Sequence, residues 1–196
     1  MKLFVGIDPG AKGALAAIDE KNCIIAGFDW PGDEIQTAAK VREFLDDHTV
    51  YNPIKEGRPF QLYAALEYVH SRPGQGVASV FSFGANYGIW QGVLASFQIP
   101  YMIVSPKEWQ KGILKKISLP TSMTQLLKNA ETKEEKKKAK SKIAAMRKKA
   151  IKKAIMTAAA RIFPAAELYG PRGGKKDGRA DALLIALWCK KEVLGK

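Results

Sequence analysis

The first eight residues constrain this chain more than any other segment. Leu3-Phe4-Val5-Gly6-Ile7 is an apolar run of strand composition, and it stops at a carboxylate, Asp8, with Pro9-Gly10 directly behind it. A carboxylate at the end of a buried strand loses hydration unless something compensates. The same arrangement returns in Leu62-Tyr63-Ala64-Ala65-Leu66-Glu67, and a third acid, Asp181, precedes the apolar run Ala182-Leu183-Leu184-Ile185-Ala186-Leu187-Trp188. Asp177 lies four residues before Asp181, one turn away on the same helix face. Three or four acids at the edges of apolar elements need a shared neutralising partner, most simply a divalent cation.

The rest of the chain predicts where these acids sit. Residues 2–8, 13–18 and 23–28 read as a three-stranded meander with a turn at 19–22. Residues 33–48 have helical spacing, 51–60 form a loop bearing Pro and Gly, and 61–67 are a fourth strand before the loop 71–76. A long helix spans 77–97, a short strand 101–104, and a helical turn starts at Pro106. Thr132 and Glu135 have capping-box spacing. The helix they start runs to Phe163 before Pro164, with Ile143, Met146, Ala150, Ala154, Ala158 and Ile162 as its apolar stripe. A loop rich in Gly and Lys spans 170–177, and the last helix covers 177–193. Strands followed by alternating helices and strands define an α/β fold, a mixed five-stranded sheet flanked by helices.

Charge narrows the chemistry. The net charge is +13, but the stretch 111–153 holds fifteen Lys/Arg and three Glu, so it carries +12 and the remainder only +1. One polycationic segment on a near-neutral body suits phosphate binding, or else a solvated helix or arm. Hard oxygen donors with no Cys/His cluster favour Mg²⁺, or Mn²⁺, over zinc. Two such ions would activate water and stabilise a leaving oxygen at a phosphodiester. Taken singly, each acid has a structural alternative. Asp8 with Gly10 and Gly13 also suits a phosphate-binding turn, Glu67 an ion pair with Arg72 or a lysine, Asp177 an N-cap, and Asp181 the helix dipole. Cys23 and Cys189 lie far apart in apolar surroundings and read as reduced thiols of a cytoplasmic protein. The stretch 77–97 reads as a buried helix, not a membrane span, and no signal peptide is visible. Gly84, Gly88 and Gly92 share one helix face, which implies close backbone approach, either to the domain's own sheet or to a second copy.

At this point a family resemblance enters. Gly6-Ile7-Asp8-Pro9-Gly10 with Gly13-Ala14, Leu66-Glu67-Tyr68-Val69, Phe83-Gly84 with Gly88-Ile89-Trp90-Gln91-Gly92, and Ala180-Asp181-Ala182-Leu183 resemble the RuvC-type Holliday junction resolvases of the RNase H-like superfamily. They follow the family's order over nearly the whole chain. The resemblance implies a single RNase H-like nuclease domain over 1–196, with a Lys-rich helical insertion at about 115–150. It implies a homodimer that binds four-way DNA junctions and nicks two strands symmetrically, with Mg²⁺ (Mn²⁺ substituting), no nucleotide cofactor and no membrane. Asp8, Glu67 and Asp181 would be metal ligands. The family's fourth acid falls on Gly178 here, so Asp177 would take that role one residue earlier. Tyr68, His70 or Phe81 would meet junction bases. Arg72, Lys107, Lys111, Lys115, Lys116, Arg147, Lys148, Arg172, Lys175 and Lys176 are the candidate DNA contacts. The long lysine block suits a phage or organelle relative, which places the protein in a bacterial or phage-infected cytoplasm or an organelle. Three alternatives stand beside this reading. They are an RNase H-like nuclease for other branched DNA or RNA, a junction-binding module that no longer cuts, and an actin-like kinase, for which the chain is short.

Overall fold

The computed structural model describes residues 1–48, 61–68, 70, 76–111, 125 and 129–195. Its elements in chain order are β1 (Lys2–Asp8), β2 (Ala14–Ile18), β3 (Ile24–Asp29), α1 (Glu34–His48), β4 (Gln61–Glu67), α2 (Val77–Ser96), β5 (Tyr101–Val104), α3 (Pro106–Lys111), α4 (Lys133–Ile162) and α5 (Asp177–Leu194). The strands form one mixed sheet in the order β3-β2-β1-β4-β5. The meander β1–β2–β3 is antiparallel, whereas β4 runs parallel to both β1 and β5.

Strand alternation sends β1 to two cores. Leu3, Val5 and Ile7 point to one face, where Val41 and Phe44 of α1 and Trp90, Val93 and Leu94 of α2 cover them. Phe4 points to the other face, toward α5 and the C-terminal half of α4. Gly6 shares that second face, and α5 rests directly on it. A Cβ at Gly6 would lie 2.0 Å from the Ala182 carbonyl and 2.3 Å from the Ala186 nitrogen. This contact sets the height of α5 over β1, and with it the height of Asp181 over Asp8.

Helix α4 starts with the expected capping box. Thr132 accepts from the Glu135 backbone, and the Glu135 side chain accepts from the Thr132 backbone at 3.1 Å. Its buried face differs from the predicted stripe. Ile155, Met156, Ala158 and Ala159 are buried, whereas Met146 is 39% exposed. Between Lys133 and Ala150, only Ala139 is buried.

The glycine stripe of α2 does not pack on the protein's own sheet. Among the described residues, nothing comes within 4 Å of a Cβ built at Gly84, Gly88 or Gly92. Val77 and Phe81, earlier on this helix, are 87% and 77% exposed. The close approaches fall instead at Gly6, Gly13 and Gly178, where strand, turn and helix backbones touch. No helix among the described residues is long and apolar enough to cross a membrane.

Candidate active site

Parity brings the first two acids together. Asp8 shares the α5-facing side of β1 with Phe4 and Gly6, and Glu67 shares that side of β4 with Tyr63 and Ala65. The parallel register pairs Ile7 with Leu66, so Asp8 and Glu67 lie one step further along at the same sheet edge. Helix α5 crosses that edge with its N-terminal turns, bringing Asp177 and Asp181 to it. The mutual influence of the four is direct. Burial, then the charges of Asp8, Glu67 and Asp177, raise the Asp181 carboxyl well above its ordinary range. Asp8 is raised as well, chiefly by burial. A hydrogen bond from the Gly10 backbone at 2.9 Å and the nearby Lys152 work the other way.

Two side chains that sequence reasoning passed over hold this cluster. The Lys152 ammonium of α4 donates to Asp177 Oδ2 at 2.6 Å and is held more basic by that bond, with Asp181 and Asp8 adding to it. The Trp109 indole of α3 donates from Nε1 to Glu67 Oε1 at 2.8 Å. In this conformation no three acids among the described residues are close enough to form a ready-made metal cage. Four carboxylates repel one another, and here two of them are drawn to Lys152 and Trp109. The donor set nonetheless fits a hard divalent cation. Asp181 Oδ1 is buried without a hydrogen-bond partner among the described residues, and a buried carboxylate oxygen left unpaired calls for a cation or a proton.

Position 178 has no room for a side chain. A Cβ at Gly178 would lie 2.0 Å from the Lys12 carbonyl and 2.7 Å from the Gly13 Cα. No acid fits there, and the carboxylate stands at Asp177. Asp177 is the first residue of α5 and not its N-cap, which is Lys176. This corrects the N-cap alternative.

The basic candidates separate clearly. Arg147 and Lys148 line a groove of about 840 Å³ between α3 and α4 that also contains Glu67 and Asp181. Lys175 lines the mouth over Asp8, Asp177 and Asp181, beside Lys12 and Trp30. Lys176 reaches the same mouth but is tied to Asp29 at 3.0 Å, and Arg179 joins it there. Lys107 and Lys111 are exposed on α3, and Pro106, Trp109 and Gln110 of that helix face the groove instead. Arg172 is exposed on the loop before α5. Tyr68 and His70, just past Glu67, are exposed and stack at 5.8 Å between ring centroids; Phe81 is exposed on α2. Arg72, Lys115 and Lys116 lie outside the described residues. Trp109 had one signal in the sequence, a large aromatic inside the otherwise polar turn 106–111. Lys152 had none that separates it from its fourteen basic neighbours in 111–153.

The chain is thus a mixed five-stranded α/β sheet flanked by helices, with Asp8, Glu67, Asp177 and Asp181 at one edge. Solved structures agree on the fold. Thermus thermophilus RuvC in complex with a Holliday junction substrate superposes with a TM-score of 0.56 at 15% identity, covering 100% of this chain and 97% of that one. Another Thermus thermophilus RuvC structure gives a TM-score of 0.50 at 18% identity, over 98% and 96% of the two chains. The chain therefore has the fold of RuvC from end to end. No protein-family model and no curated protein sequence matches it.

Proposed function

We propose that this protein is a metal-dependent, structure-selective endonuclease that resolves four-way DNA junctions by paired symmetric nicks, acting as a homodimer. The observation that carries the reading is the gathering of Asp8, Glu67, Asp177 and Asp181 at one sheet edge, with Asp8 and Asp181 both raised by burial. The fold it occupies is that of a protein solved on a Holliday junction.

In this reading the four acids hold Mg²⁺, or Mn²⁺ in its place. The ions supply an activated water and charge stabilisation at the leaving oxygen of a phosphodiester. Lys152, once released from Asp177, brings its ammonium to the phosphate above the acids. Arg147, Lys148 and Lys175 bind backbone phosphates on either side. The Tyr68–His70 stack, next to Glu67, meets unpaired bases at the opened crossover. The open glycine face of α2 is where a second copy packs, since small residues there allow close helix approach. The lysine-rich start of α4 adds nonspecific DNA affinity.

The test uses labelled four-way junction and matched linear duplex, each incubated with Mg²⁺ and with EDTA. Paired nicks near the crossover, on the junction alone and with metal alone, are expected. Equal cutting of linear duplex or RNA would favour a general RNase H-like nuclease. The second reading is a junction binder that does not cut, motivated by the shifted fourth acid at Asp177. Binding without product in either metal would select it.

A further inference from the structure

We propose that Trp109 is a positioning residue that fixes the carboxylate of Glu67 for metal binding through its indole N–H. The proposal rests on the metal-dependent reading above. Trp109 is 1% exposed and packed within the α5-side core. Its only polar atom, Nε1, is directed at Glu67 Oε1 from 2.8 Å. A fully buried indole in this setting has little freedom, so the oxygen it holds is fixed as well.

The support continues behind the tryptophan. Helix α3 is only six residues long and needs an anchor to present a side chain reproducibly. Ser105 and Glu108 supply one. The Ser105 N–H donates to Glu108 Oε2 at 2.8 Å, and the Glu108 N–H donates back to the Ser105 hydroxyl at 3.3 Å. This is a capping-box exchange, with Pro106 at the first helical position, where its missing N–H leaves no bond unmade. Strand β5 pairs Val104 with Glu67, so α3 starts at Pro106, two residues beyond the acid's own strand neighbour. The path from Ser105–Glu108 through Trp109 to Glu67 is short and built of ordered bonds. Groups that hold a ligating carboxylate from behind set its orientation and tune the metal. Glu67 differs here from Asp177, whose partner Lys152 carries a charge that competes with a cation. The indole N–H brings no charge of its own to compete with a cation.

The test is Trp109→Phe, which keeps a large ring and removes the N–H. Metal affinity is read by calorimetry with Mn²⁺ and Mg²⁺. Indole ¹H–¹⁵N signals are read by NMR, where the four tryptophans give four resonances. We expect W109F to weaken metal binding by about tenfold or more, with cleavage restored in part by raising Mg²⁺. We expect one indole signal to vanish in W109F and the same signal to shift in E67A. That signal should also be among the first that Mn²⁺ broadens in the wild-type protein. Should W109F fail to fold, the E67A shift and the Mn²⁺ broadening still decide the matter. Unchanged metal affinity in W109F, or no indole signal responding to E67A, overturns the role of Trp109. Failure of the wild-type protein to bind metal in an Asp8-dependent way overturns both this proposal and the reading beneath it.

Discussion

Gly6→Ala is a one-methyl change that should disable both fold and site. The added Cβ would fall 2.0 Å from the Ala182 carbonyl oxygen, 2.3 Å from the Ala186 nitrogen and 2.9 Å from the Ile185 carbonyl carbon. All three are backbone atoms of α5, so no side-chain rotation relieves the clash. Reaching an ordinary contact of 3.4 Å requires α5 to back away from β1 by roughly 1.4 Å. Overpacking of this kind costs about 3 kcal/mol or more when the obstacle is rigid. For a chain of this size that lowers Tm by roughly 6–12 °C. The same retreat lifts Asp181 from Asp8, and a misplacement of about 1 Å at a reacting centre costs on the order of 100-fold in rate. Gly84→Ala is the matched control. Its Cβ meets nothing among the described residues, and alanine in a helix interior gains about 0.5–1 kcal/mol over glycine. Thermal melts at low protein concentration should therefore move in opposite directions for the two variants. A G6A protein with wild-type Tm and cleavage rate would refute the direct seating of α5 on β1. If α2 forms the dimer contact, G84A also weakens self-association in sedimentation.

Lys152→Met should lower single-turnover junction cleavage at saturating Mg²⁺ by about 100-fold while leaving junction binding within a few-fold. Wild-type cleavage in K152M would remove the lysine from the chemistry. Deleting residues 128–142, which hold seven lysines, should flatten the salt dependence of junction binding in a log–log plot, and an unchanged slope would mean the segment does not touch phosphates. Burial pushes the Cys189 thiol up to about 12. At pH 8 an alkylating reagent should therefore modify only the exposed Cys23 in the native protein; two modified thiols by mass spectrometry would contradict that. Burial alone would raise Asp29, but hydrogen bonds from Arg179 and Lys176 outweigh it and hold its carboxyl below the ordinary range. Its contribution to stability is therefore present above about pH 4 and lost as the pH falls through the depressed value. Asp29→Asn should flatten the acid limb of the stability profile, and an unaltered limb would show that the ion cluster does not anchor α5.

Much of the fold was legible because its signals are local. Short apolar runs and chain punctuation mark β1, β4 and β5 to within a residue, and Thr132 with Glu135 marks the start of α4. The strand-end acids were legible because carboxylates closing apolar runs are costly and therefore informative. The parity that turns Asp8 and Glu67 to the same face follows from register, which needed the sheet. Of the two readings of the glycine stripe, packing on the domain's own sheet did not hold, since spacing identifies a face but not what it meets. Gly6 and Gly178, each alone in its element's pattern, proved to be the close contacts. Met146 belongs to the apolar stripe by spacing, yet it stays 39% exposed, because the part of α4 that packs against α5 is its C-terminal half. Lys152 was hidden among equivalent lysines, and Trp109 reaches Glu67 across 42 positions, a separation that periodicity does not register.

The most direct test of the central claim compares wild-type protein with Asp8→Asn on one labelled four-way junction in Mg²⁺, measuring binding by gel shift and product by strand length. Cleavage by the wild type and its loss in D8N, with junction affinity kept within a few-fold, is the predicted result. A D8N protein that cuts at the wild-type rate would contradict the assignment of the four acids as the catalytic metal site.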